Sequence, residues 1–125
     1  MTTVITICDT CKHPDRESSG AEETDGETLA LLVEASASGE PGVDVRRHSC
    51  LMGCGRGCNL AIGAPGKITY VLGDFTPDLA SAGAIVEYAR RHAASDTGQV
   101  PFRQWPQGIK GHFTARLPVP EWEAK

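Results

Sequence analysis

The sequence predicts an α/β fold: a small mixed sheet of about four strands, its first strand central, with helices packed on it. Three observations predict it. "TTVITIC" opens the chain as a β-branched run, which reads as a buried first strand. The segments that follow run helix, strand, cysteine loop, strand, strand, helix. Finally, the five cysteines fall into two groups, Cys8 with Cys11 and Cys50 with Cys54 and Cys58. Both groups lie in loops that follow strands, so they can meet at one end of the sheet.

Each element has its own signal. "DTCKHPDRESSGAEETDG" is polar, with Pro14, Gly and Ser, and reads as a solvated loop. "ETLALLVEASAS" places Leu29, Leu32, Val33 and Ser36 at helical spacing, and Gly39, Pro41 and Gly42 stop it. "VDVRRHS" alternates as a second strand. After the cysteine loop, "NLAIGAPGKITYVLGD" gives two short apolar runs joined by Ala64-Pro65-Gly66-Lys67, a hairpin by turn chemistry. "TPDLASAGAIVEYARRHAA" predicts a helix with Thr76 as N-cap, Pro77 at the first helical position and Asp78 in the first turn. Leu79, Gly83, Val86 and Arg90 fall on one spacing series, and Ala82, Ile85 and Ala89 widen the apolar face. Arg90, Arg91 and His92 would sit where the helix dipole favours positive charge. From Ser95 onward the chain holds Pro101, Pro106, Pro118, Pro120 and both tryptophans, Trp105 and Trp122, without a clear period. This reads as an extended wrap: residues 1–98 form the domain and 99–125 a proline-rich extension packed on it.

Composition narrows the function classes. A chain of 125 residues with 40% apolar content and a net charge of −4 reads as a soluble, mildly acidic globular protein of a single domain. It lacks the basic stripe and stacking aromatics of a nucleic-acid binder. No apolar run is long enough to span a membrane, and no secretory leader pattern opens the chain, so the cytoplasm is the expected location. In a reducing compartment, clustered cysteines are ligands or redox groups more often than a disulfide framework, and an odd number points the same way.

Cys8-x2-Cys11 lets one loop turn both sulfurs onto a single ion, and Cys50-x3-Cys54 can do so on a Gly-rich loop. Gly53, Gly55 and Gly57 let the backbone come close to a cofactor and aim N–H groups at sulfur. Four thiolates in two pairs suit tetrahedral zinc or a [2Fe–2S] cluster equally well. A redox dithiol is the rival reading of "CDTC", but His13-Pro14-Asp15 supplies no helix start to lower a thiol pKa. His48 and His13, each two residues from a cysteine, are candidate supporting donors or alternative ligands, although loop histidines are commoner. His92 and His112 read as a helix-end charge and a tail residue. Asp9, Asp15, Glu17, Glu22, Glu23, Asp25 and Glu27 form an acidic stretch, ordinarily a solvated loop and alternatively a docking face for a basic partner.

"CLMGCGRGCNLAIGAPGKITYVLGDFTPDLASAGAIVEYARRHAASDTG" resembles the C-terminal half of the thioredoxin-like [2Fe–2S] ferredoxins, and "VITIC" resembles their first strand and ligand. The whole chain resembles the DUF1636 family of predicted metal-binding bacterial proteins. The shared features are the N-terminal C-x2-C, the "CLMGCGRGC" loop, "APGKITYVLGD" and the Arg116-Leu117-Pro118 element. The resemblance implies a thioredoxin-like ferredoxin fold and a cluster on Cys8, Cys11, Cys50 and Cys54. Two departures stand out: Cys8 and Cys11 are closer together than the ferredoxins' first two ligands, and Cys58 stands where those proteins carry a proline. Cys58 is therefore an alternative ligand. The resemblance also implies pairing of two chains, unless the tail covers the sheet within one chain. It further implies a link to cobalamin biosynthesis, near whose genes family members are often encoded.

Three expectations follow. The first is a [2Fe–2S] electron carrier, not an enzyme, that works with a redox partner protein. The second is a zinc-stabilised binding module. The third is a metal-handling protein that delivers cobalt or iron, with Cys58 suited to ligand exchange.

Overall fold

The computed structural model describes residues 2–8, 25–48, 59–76 and 78–119. In chain order the elements are β1 (Thr3–Cys8), α1 (Asp25–Ala37), β2 (Val43–His48), β3 (Leu60–Gly63), β4 (Thr69–Leu72) and α2 (Leu79–Ala94). Single 3₁₀ turns at Phe102–Gln104 and Gln107–Ile109 then precede β5 (Phe113–Leu117). The five strands form one sheet in the order β2-β1-β3-β4-β5. β1 runs parallel to β2, and the remaining pairs are antiparallel. The predicted α/β class and the interior first strand are both present.

Strand alternation sorts the sheet into two faces. Ile5 pairs with Ile62 and Ile7 with Leu60, while Leu60 and Ile62 pair with Leu72 and Tyr70. These six side chains are buried in one apolar cluster with Leu29 and Val33 of α1 and Ile85 and Ala89 of α2. Burial of each large aliphatic side chain is worth roughly 1.5–3 kcal/mol, so this face drives folding. Both helices pack on each other and on β1 and β2, which places them together on that face. Val4, Thr6 and Cys8 alternate to the other side.

α1 stops where the sequence says it must. Gly39 and Gly42 both hold φ near +80° (82° and 81°), a region costly for residues with a Cβ. The hairpin turn is likewise as predicted, with Gly66 at φ 74°.

The start of α2 differs from the expectation. The N-cap is Asp78, not Thr76: the Asp78 carboxylate accepts from the Ser81 backbone N–H at 2.8 Å. Thr76 instead donates its hydroxyl to Asp78 at 2.6 Å. That bond, then those from Ser81, hold the Asp78 carboxyl below its usual pKa. A charged carboxylate is the stronger acceptor at the positive end of a helix, so Asp78 takes the cap. The expectation for Pro77 falls outside the described residues. Of the predicted apolar face, Val86, Ala82, Ile85 and Ala89 are buried, while Leu79 is 67% exposed and His92 points inward instead.

His92 is the larger correction. It is fully buried rather than a helix-end charge. Its Nε2 lies 2.7 Å from the Ile68 carbonyl and its Nδ1 lies 2.8 Å from Thr3 Oγ1. A carbonyl can only accept, so Nε2 carries the proton and Nδ1 accepts from the Thr3 hydroxyl. Burial pushes the imidazole pKa down. Arg91 remains a basic residue of the last turn of α2, and Lys67 adds a second, donating to the carbonyls of His92 and Ala93 at 3.2 and 2.8 Å.

The tail contributes more than a wrap. β5 pairs with β4 and adds a fifth strand to the sheet. Ile109 is fully buried, and Gly108 lies so close to Ala84 of α2 that a Cβ there would come within 2.9 Å of the alanine's own. His112 stacks on Phe75 with ring centroids 4.2 Å apart, and its Nδ1 meets the Gly73 carbonyl at 2.9 Å.

A candidate metal centre at one end of the sheet

Cys8 closes β1 and is fully buried. Its position is set from both sides. In the parallel register it pairs with His48, the last residue of β2. On its other side the Cys8 amide donates to the Asn59 carbonyl at 3.1 Å, extending the β1–β3 ladder beyond Ile7 and Leu60. The three residues therefore stand abreast at one end of the sheet.

Of the cysteines called from sequence, Cys11, Cys50, Cys54 and Cys58 lie outside the described residues, as do His13 and the acidic residues from Asp9 to Glu23. In sequence, Cys50 is two residues beyond His48, Cys58 is next to Asn59, and Cys11 is three beyond Cys8. His48, Cys8 and Asn59 themselves lie side by side on neighbouring chains of the sheet, about 4.8 Å from one to the next. Among the described residues alone, no three His, Cys, Asp or Glu side chains gather to hold a metal.

Asn59 is the residue that the sequence reading missed. It is 3% exposed, yet among the described residues neither Nδ2 nor Oδ1 of its carboxamide has a hydrogen-bond partner. The ladder register sets it on the same face as Cys8. Leaving such a buried group unpaired costs about 1–3 kcal/mol. Its only sequence signal was an amide between the last cysteine and an apolar strand. Arg46 also belongs to this face: its Nε donates to Thr6 Oγ1 at 2.7 Å, beside Cys8 in the alternation.

The sequence matches the family described as "Protein of unknown function (DUF1636)" over residues 5–119. The chain belongs to the DUF1636 family. No curated protein and no solved structure matches it. The family match takes in every cysteine and reaches through β5 to Val119. Among the described residues of this DUF1636 chain, no helix is long and apolar enough to cross a membrane.

Proposed function

We propose that this DUF1636 protein carries a [2Fe–2S] cluster and passes single electrons between partner proteins. The observation that carries the reading is the convergence of Cys8, His48 and Asn59 at one sheet end, each close in sequence to a further cysteine. Cys8, Cys11, Cys50 and Cys54 would hold the cluster, with Cys58 as the alternative fourth ligand. The strand–helix–strand–loop–strand–strand–helix order supports the ferredoxin resemblance. A bound cluster supplies reversible one-electron chemistry without a substrate.

The residues present fit such a group. The orphaned amide of Asn59 offers an N–H donor beside Cys8, and donors to sulfur raise the potential of iron–sulfur centres. Arg46 offsets part of the negative charge that four thiolates bring. These features serve a thiolate-rich centre more directly than a bare disulfide. A role near cobalamin synthesis is part of the same proposal and rests on the family resemblance.

Anaerobic purification followed by a visible spectrum tests the reading. The account predicts a red-brown protein that bleaches on reduction. Cys8→Ser, Cys50→Ser and Cys54→Ser lose the colour, since serine is a harder ligand that holds iron poorly. Cys58→Ser keeps it. A colourless protein with stoichiometric zinc overturns the reading in favour of a structural metal. Loss of the cluster in Cys58→Ser, with retention in Cys11→Ser or Cys54→Ser, would place Cys58 in the ligand set.

A further inference from the structure

The tail and the edge of the sheet line an open cleft of about 600 Å³, within the range of small-molecule sites. Its walls include the rings of Tyr70, Trp105 and Phe113. These rings brace one another: Phe113 lies 5.5 Å from Tyr70 and 4.6 Å from Trp105 between centroids. Trp105 is further fixed by its indole N–H, which donates to the Val100 carbonyl at 2.8 Å. The aromatic surface is therefore built before any ligand arrives.

The charge of the cavity is one-sided. Among the described residues, Arg116 is the single charged residue that lines it, and no acid does. In the β4–β5 register Arg116 pairs with Tyr70, which puts its side chain on the same face as the aromatic wall. No hydrogen bond or ion pair holds its guanidinium among the described residues. Gln99 and Thr97 add neutral polar groups to the lining. An unpaired guanidinium fork facing braced rings matches a carboxylate on a flat apolar body. Aromatic ligands gain from stacked or edge-on contact with such rings.

We propose that this cavity is a binding site for a planar aromatic carboxylate of one or two rings, with Arg116 as the anion-binding residue. Neither Cys8 nor Asn59 lines the site, and the proposal does not depend on a cluster. Arg116 also belongs to the Arg-Leu-Pro element that the electron-transfer reading leaves without a role.

Calorimetric titration of the full-length protein with 2-naphthoate, 2-naphthamide and propionate tests this. The proposal predicts saturable one-to-one binding of 2-naphthoate, with a shift of the Trp105 indole N–H resonance. Removing the anion in 2-naphthamide, or the guanidinium in Arg116→Gln, weakens binding at least about tenfold, the scale of one charge-assisted hydrogen-bond pair. Arg116 is exposed, so Arg116→Gln is expected to fold, and circular dichroism checks this. Arg116→Lys, which keeps the charge but loses the fork, falls between. No saturable binding of 2-naphthoate to the folded protein overturns the proposal. So does equal binding by folded Arg116→Gln, or propionate binding as tightly as 2-naphthoate.

Discussion

The two ends of β1 are built on opposite principles. At the Thr3 end, the buried polar groups described above are matched: the Thr3 hydroxyl with His92, His92 with the Ile68 carbonyl, and Lys67 with the last carbonyls of α2. The Thr3 amide also donates to Gly42 at 2.8 Å, and Gly98 lies against the imidazole. At the Cys8 end, the buried carboxamide of Asn59 has no partner among the described residues. Six residues of one strand thus join a closed polar node to an open one. The closed end holds the fold together. On the proposed reading, the open end is left for chemistry.

The largest expected effect comes from breaking the closed end. His92→Ala removes a buried ring and strands the Thr3 hydroxyl and the Ile68 carbonyl, and the expected loss is about 3–4 kcal/mol in urea unfolding. Gly98→Ala should cost about 2 kcal/mol, because Gly98 holds φ 88° and a Cβ there meets His92 Nε2 at 2.7 Å. Neither site is near Cys8, so the account expects the colour of the folded fraction to survive both changes.

A paired substitution sharpens the comparison. Thr3→Val and Asn59→Leu each replace a buried polar group by an apolar one of similar shape. At the closed end the change orphans His92 Nδ1 and costs about 1 kcal/mol. At the open end, in metal-free protein, it removes an unpaired amide and stabilises by about 1 kcal/mol. In the loaded protein, Asn59→Leu should lower the reduction potential by removing an N–H donor. Equal destabilisation by the two substitutions in metal-free protein would erase the proposed contrast.

A smaller effect follows from pH. Burial lowers the His92 pKa in the folded protein, while the unfolded chain titrates near 6.5. Above that value the imidazole is neutral in both states and its contribution to stability is fully present. As pH falls through about 6.5, the unfolded chain takes up a proton that folded His92 refuses, and stability drops until the folded pKa is reached. Comparing urea midpoints at pH 7.5 and 5.5 in wild type and His92→Gln isolates this component. The variant should show a shallower decline.

Much of this architecture was legible in the sequence because local signals and tertiary demands agreed. The β-branched run ending at Cys8, the Gly39 and Gly42 stops and the Ala64–Lys67 turn each specify their element by backbone chemistry alone. Where two local signals competed, tertiary context decided. Thr76 and Asp78 both look like caps, and only the bonding to Ser81 separates them. His92 sits where the dipole favours a cation, yet Thr3 and Ile68, both distant in sequence, convert it into a neutral core residue. β5 was hidden among prolines because an edge strand needs little apolar patterning: four of its five residues are exposed. At the candidate site, cysteine spacing pointed to paired ligands. It did not reveal Asn59, whose significance depends on strand register.

The central claim is that the open end of β1 serves a thiolate-bound iron–sulfur centre. The most direct test is metal and acid-labile sulfide analysis of the wild-type protein purified without air. The account predicts iron and sulfide in equal amounts, about two of each per chain. Stoichiometric zinc with no sulfide would contradict it.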